Sequence, residues 1–146
     1  MRIALIYREY SDIIEGIENS LRSTAPDTVF RKFEWNEKEN IMKKLEEFSP
    51  QLLITENLAG FSMTTLMDSI AYNRINSLQF HLLTNDSWNT PRNLSILKKP
   101  LSLSMSFLCS KDEYKELLIR YNPDVPFAET ITDDDYAGSI LSISKL

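Results

Sequence analysis

Short apolar runs alternate along this chain with longer stretches of helical periodicity. Ile3 to Tyr7 is an apolar run of β type. Ser11 and Asp12 offer helix-start chemistry, and Ile13, Ile14, Ile17 and Leu21 follow at helical spacing. Pro26-Asp27 breaks the chain. Val29 to Trp35 reads as a strand carrying three charges, Arg31, Lys32 and Glu34. Asn36 with Glu39 forms a capping box for a helix whose Ile41, Leu45 and Phe48 share one face, and Ser49-Pro50 ends it. Leu52 to Thr55 is a buried-strand candidate, and Asn57 to Gly60 turns the chain. Ser62 is placed to cap a helix bearing Met63, Leu66, Met67, Ile70 and Ala71, and Leu78 to Leu83 is the next apolar strand.

Asn85 to Pro100 carries no clear periodicity. Beyond it Leu101, Leu103, Met105 and Phe107 alternate with serines at 102, 104 and 106, the period of a strand. Ser110-Lys111-Asp112-Glu113 reads as a second capping box, with Tyr114, Leu117, Leu118 and Tyr121 at helical spacing and Pro123 as the stop. Val125 to Phe127 predicts a short sixth strand. In the tail from Asp133 to Leu146, Tyr136, Ile140 and Ile143 suit a helix while Leu141 and Ile143 flanked by serines suit a strand, and helix is the assignment adopted.

Strands alternating with helices predict βαβ units in one α/β domain spanning 1–146: a three-layer α/β/α sandwich with a mostly parallel sheet of five or six strands. The first, third and fourth strands are continuous apolar runs, as strands covered on both faces must be. The charged second strand and the serine-alternating fifth suit positions at or next to the edges. This predicts the flavodoxin-like strand order 2-1-3-4-5, with any sixth strand beside the fifth, over a Rossmann-like order that buries the second strand.

Composition narrows the chemistry. With 146 residues, about 68–70% of the unfolded surface can be buried, enough for one core without metal or disulfide staples. Sixteen basic against 21 acidic side chains leave a net charge of −5, which argues against nucleic acid and anionic membranes as partners. No apolar stretch approaches the ~18 residues of a membrane span, and the first apolar run is too short for a signal-peptide core. A single cysteine, Cys109, excludes an intramolecular disulfide and Cys-x-x-Cys motifs and fits a reducing cytoplasm. Gly16, Gly60 and Gly138 are the only glycines, so neither G-x-G-x-x-G nor a P-loop exists and no cofactor is indicated. His81, the one histidine, lies inside an apolar run, so it reads as a core residue rather than a catalytic base. Asp133-Asp134-Asp135 reads as a helix cap or a solvated run.

In an open α/β sheet, ligands bind beyond the carboxyl ends of the strands, near the switch in strand order. That rim carries Arg8, Glu9 and Ser11 after the first strand, and Glu56, Asn57 and Ser62 after the third. Asn85, Asp86 and Trp88 follow the fourth, and Ser110 and Lys111 the fifth. Glu9, Glu56 and Asp86 come from three strand ends brought side by side and form an acidic cluster open to a cation, with Arg8 or Lys111 as internal neutralisers. Asn57 and Ser62 are expected to supply hydrogen bonds and Trp88 a flat apolar wall. The same residue types also serve as ordinary caps and turn formers in wet loops.

Two resemblances extend this reading. Residues 49–61, SPQLLITENLAGF, look like the strand-to-glycine-loop segment in the N-terminal half of two-domain, GT-B type glycosyltransferases, including spore-coat-associated ones. Residues 81–88, HLLTNDSW, look like the strand and loop that follow, and residues 107–114 with 125–127 resemble the next strand–helix–strand. In that family the nucleotide-sugar donor is held mainly by the C-terminal half, which these residues do not include, so no catalytic residue carries over. The second resemblance is to response-regulator receivers. Glu9, Glu56, Thr84 and Lys111 (or Lys99, before Pro100) follow the order of their acidic, phosphoacceptor, hydroxyl and lysine positions, with Glu56 where they carry Asp. The reading adopted from these is a non-catalytic binding or regulatory module resembling half of a glycosyltransferase, which takes a small polar ligand or a protein partner at the carboxyl rim. Its alternatives are a stand-alone or two-chain transferase subunit and a pseudo-receiver.

Overall fold

The computed structural model describes residues 1–36, 41–59, 78–98, 105–125, 128–131 and 135–144. Its strands are β1 (Arg2–Tyr7), β2 (Val29–Glu34), β3 (Leu52–Glu56), β4 (Leu78–Leu83), β5 (Met105–Cys109) and β6 (Ala128–Thr130). They form one six-stranded sheet in the order β2-β1-β3-β4-β5-β6, and every pairing is parallel. Five α-helices are described: α1 (Asp12–Thr24), α2 (Ile41–Phe48), α3 (Pro91–Leu97), α4 (Asp112–Tyr121) and α5 (Tyr136–Ser144). The result is the three-layer α/β/α, flavodoxin-like arrangement.

Side chains alternate across each strand, and the sheet sorts its apolar residues accordingly. Ile3, Leu5, Leu52, Ile54, Leu82 and Leu108 face one side, where Ile14, Ile17 and Leu21 of α1 and Tyr136, Ala137 and Ile140 of α5 cover them. Ala4, Ile6, Phe33 and Leu53 face the other, under Ile41, Leu45 and Phe48 of α2. Further along that second face, Leu83, Phe107 and Cys109 pack with Leu97, Tyr114 and Leu118 of α3 and α4. Strands β1 and β3 are therefore apolar on both faces, and they pair through Ile3↔Leu52 to Ile6↔Thr55.

The charged strand β2 lies at one edge. Its charges are used locally: Lys32 Nζ reaches Glu18 at 3.0 Å, and the Arg31 guanidinium lies 4.7 Å from the centre of the Phe48 ring. Strand β5 is one strand in from the other edge, as its alternation predicts.

Several local expectations are corrected. The described sixth strand is Ala128–Thr130, paired Phe107↔Ala128; of the strand expected at Val125–Phe127, Val125 lies outside any strand and residues 126–127 lie outside the described residues. Val125 instead packs its side chain on the α3/α4 cluster, and its N–H bonds the Asn122 carbonyl at 3.3 Å. The box at Ser110 does not form. Lys111 is the N-cap residue of α4, and the Ser110 hydroxyl donates to the Thr84 carbonyl at 3.3 Å, tying the β5 exit to the β4 exit. The stretch after Asn85, which carries no clear periodicity, holds a 3-10 turn at Asp86–Trp88 and then α3. Its signal was Thr90-Pro91. Proline suits the first helical position, and the Thr90 hydroxyl accepts the Asn93 N–H at 3.2 Å. Asp135 caps α5 by accepting the Gly138 N–H at 2.9 Å. The helix expected after Ser62, the box at Glu39, the serine alternation before Met105 and Asp133-Asp134 lie outside the described residues.

Leu53 and Leu82 sit on opposite faces of the sheet centre, both almost wholly buried. Leu53→Ala and Leu82→Ala are each expected to cost about 2–5 kcal/mol in urea melts. The double variant should lose the sum to within about 0.5 kcal/mol, because the two side chains share no core cluster. A loss under about 1 kcal/mol for both would mean these strands are not central.

Candidate functional site

In a 2-1-3-4-5 order the chain leaves β1 toward one edge and β3 toward the other, so their carboxyl ends part and leave a crevice. A cavity of about 370 Å³ occupies this position. Arg8, Glu9, Tyr10 and Ser11 line it from the β1–α1 connection, and Glu56 and Asn57 from the end of β3. Asn85, Ser87, Thr90, Arg92 and Asn93 close it from beyond β4.

Glu56 is the deepest charged group. It continues the Leu52–Ile54 row on the α1 face, so alternation directs it beneath the start of α1 rather than into the loop. It is only 5% exposed. Its partner is the Ser11 hydroxyl, which donates to a carboxylate oxygen at 3.2 Å. Ser11 is the N-cap residue of α1, as the sequence predicts, but its side chain makes no capping bond. Burial raises the Glu56 pKa above the usual carboxylate value, and the Ser11 hydrogen bond only partly opposes this.

Asn57 lines the cavity as a brace. Its side-chain oxygen accepts the N–H groups of Thr84 at 2.8 Å and Asn85 at 3.1 Å, and its amide donates to the Thr84 hydroxyl at 2.8 Å. Asn57 and Leu58 both take left-handed backbone, with φ of 51° and 58°. Asparagine tolerates this, while for leucine it costs roughly 1–2 kcal/mol. Burial of Leu58 against Leu83 and Trp88 offsets that cost. Tyr10, 51% exposed, stands at the mouth, with Tyr7 edge-on at 5.9 Å and Lys32 Nζ 5.0 Å from its ring centre.

Six of the residues singled out on the rim, Arg8, Glu9, Ser11, Glu56, Asn57 and Asn85, thus converge on one cavity. Ser62 lies outside the described residues. Four others are elsewhere, Ser110 among them, with its hydroxyl on the Thr84 carbonyl. Trp88 is fully buried in the α3/α4 cluster, so it cannot be a ligand wall; Tyr10 holds that place. Asp86 accepts the Tyr114 hydroxyl at 2.9 Å and does not join Glu9 and Glu56. Lys111 Nζ stands 5.3 Å from the Tyr114 ring centre. It follows β5, two strands and so roughly 10 Å from β3, away from the crevice. Among the described residues no group of three or more acidic, His or Cys side chains is arranged to hold a metal ion. Arg92, Thr90 and Asn93 were missed with the helix that presents them.

The one histidine and the one cysteine are both buried in strands. Thr55, His81 and Phe107 form a row across β3, β4 and β5. The Thr55 hydroxyl and His81 Nδ1 are 2.6 Å apart, and the His81 and Phe107 ring centres 4.9 Å. Burial lowers the His81 pKa to about 3 and pushes the Cys109 thiol up to about 12, so at neutral pH both are uncharged. Neither lines the cavity.

No protein-family model matches this chain, and no curated protein or solved structure does.

Two outcomes follow from the buried ionisable groups. The folded-state pKa of Glu56 is raised, so its ionisation opposes folding at neutral pH. Glu56→Gln should stabilise the protein by about 0.5–2 kcal/mol at pH 7, a typical single-site gain. Urea melts at falling pH should show this gain shrinking as the wild-type carboxyl takes up its proton. A destabilised variant at pH 7 would show that the carboxylate is worth more than its burial costs. For His81 the folded pKa is depressed, so the unfolded chain binds a proton that the folded protein refuses between pH 6.5 and about 3. Wild-type stability should drop across that window by up to about 1.4 kcal/mol per pH unit from this group, and His81→Gln should show a flatter acid slope. Equal slopes would mean His81 is protonated without unfolding.

Proposed function

We propose that this protein is a non-catalytic binding module that takes a small polar ligand at the carboxyl ends of β1 and β3. The observation that carries the reading is the cavity at the switch in strand order between β1 and β3, which Arg8 and Arg92 line together with Glu9 and Glu56. Its volume lies within the ~300–1,000 Å³ of small-molecule sites, and its lining combines several hydrogen-bonding groups with one aromatic face. The inert state of His81 and Cys109, and their burial away from the cavity, favours binding over nucleophilic chemistry. The net charge of −5 speaks against nucleic acid as the partner. No described helix is long and apolar enough to cross a membrane, and a single reduced cysteine fits a cytoplasmic setting. The resemblance to half of a glycosyltransferase supports ligand binding at this rim.

A second reading, a transferase subunit acting alone or completed by another chain, rests on Glu56. A buried carboxyl of raised pKa beside a cavity is suited to proton transfer.

A thermal-shift screen of nucleotides, sugar nucleotides, small metabolites and divalent ions tests the proposal, since a ligand bound only by the folded state raises its stability by mass action. At one hundred times its Kd a true ligand contributes about 2.7 kcal/mol. The shift should disappear in Arg92→Ala, whose own melt should stay close to wild type because Arg92 is exposed. A hit unaffected by Arg8→Ala, Arg92→Ala and Glu56→Gln would place binding elsewhere. Turnover of a sugar nucleotide, lost in Glu56→Gln, would favour the transferase reading.

A further inference from the structure

We propose, building on the reading of the β1/β3 cavity as a small-ligand site, that its ligand is a small zwitterion: one skeleton carrying an ammonium group and an anionic carboxylate or phosphate. The argument begins with the charges that line the cavity, two of each sign. Arg8 follows β1 and Arg92 lies beyond β4, while Glu56 ends β3, which runs between those strands. Adjacent strands are about 4.8 Å apart, so β1 and β4 stand roughly 10 Å from one another with Glu56 between. A ligand of metabolite size is therefore within reach of both kinds of charge.

Among the described residues these charges are not consumed internally: neither Arg8, Arg92 nor Glu9 has an ion-pair partner, and Glu56 has only the neutral Ser11 hydroxyl. A purely anionic ligand would meet two carboxylates, one of them buried. A purely cationic ligand would meet two guanidinium groups. A zwitterion meets both pairs favourably: its anion takes the planar donor forks of arginine, and its ammonium donates to Glu56. Glu56 gains most from such a ligand. A buried carboxylate without a cation is costly, and a ligand ammonium supplies that cation while restoring hydrogen bonds lost on leaving water. Burial holding its pKa up in the free protein is the expected mark of a missing counter-charge. Tyr10 at the mouth offers its ring to the ligand skeleton.

Isothermal titration at pH 7.5 with five probes separates the contributions. L-serine carries ammonium and carboxylate, and O-phosphoethanolamine carries ammonium and phosphate. Glycerate, ethanolamine and inorganic phosphate each carry one sign only. At least one of the two zwitterions should bind at least about ten-fold tighter than every single-sign probe, the scale of one charged hydrogen bond. Which of the two binds tighter identifies the anionic group. Glu56→Gln should remove that preference while leaving glycerate and phosphate as weak as before, and Arg92→Ala should weaken zwitterion and anion alike. Urea melts of each variant confirm that it is folded. Glycerate or phosphate matching the zwitterions, with binding still dependent on Arg92, would overturn the zwitterion and keep the small-ligand site. A preference that survives Glu56→Gln would also overturn it. Binding by none of the five would overturn it outright, and the wider ligand screen then decides the small-ligand reading on separate grounds.

Discussion

The parallel pairing of β1 with β3, each covered by helices on both faces, is the constraint from which the rest follows. Ile3, Leu5, Leu52 and Ile54 are buried under α1 and α5, and Ala4, Ile6 and Leu53 under α2. A slip of one residue would exchange the two sets of side chains between layers that are already filled, so the register Ile3↔Leu52 to Ile6↔Thr55 is strongly determined. Once these two strands lie side by side, the connections leaving them run in opposite directions. The crevice at their carboxyl ends is a consequence of topology, and it needs no special loop to create it.

The same alternation that builds the core places a charge where a core residue would be expected. Glu56 falls in the row of Leu52 and Ile54, one step past the point where apolar cover ends, and the first residue of the overlying helix region meets it with a hydroxyl. The rest of the floor is braced: Asn57 holds the β3 exit to the β4 exit, and Ser110 holds the β5 exit to the same place. The left-handed pair Asn57-Leu58 turns the chain sharply there, with its conformational cost offset by burial of Leu58. A polar cavity with a hydrogen-bonded floor and exposed charged sides results, and bonds already made in the floor leave less ordering to be done on binding.

The row Thr55–His81–Phe107 shows why residue type is a poor guide to chemistry. A histidine within 2.6 Å of a hydroxyl has the geometry of an acid–base pair. Buried between β3 and β5, it is held neutral and serves the packing of the sheet. Glu56, an unremarkable residue type at a strand end, is the group whose burial and position give it chemical consequence.

Local pattern was enough for the order of the strands, the edge position of β2 and the pairing of β1 with β3. These depend on period and on counting buried faces, both of which are local properties of the chain. It was enough, too, to bring Arg8, Glu9, Ser11, Glu56, Asn57 and Asn85 to one rim, because strand ends in a parallel sheet lie together. It could not separate Trp88 from Tyr10. Both are aromatics in loops past strand ends, and only the packing of α3 and α4 decides that one is core and the other is exposed at the cavity mouth. Nor could it bring in Arg92, whose helix is seven residues long and is recognised by a cap and a proline rather than by periodicity. Asp86 and Lys111 were given to the wrong neighbours for a related reason: Tyr114 draws both, and contacts made across 28 residues of sequence or through a ring face leave no trace in a one-dimensional pattern. The depth of Glu56 was likewise a tertiary matter, since whether a strand-end carboxylate is wet or buried depends on how far the next helix overhangs it.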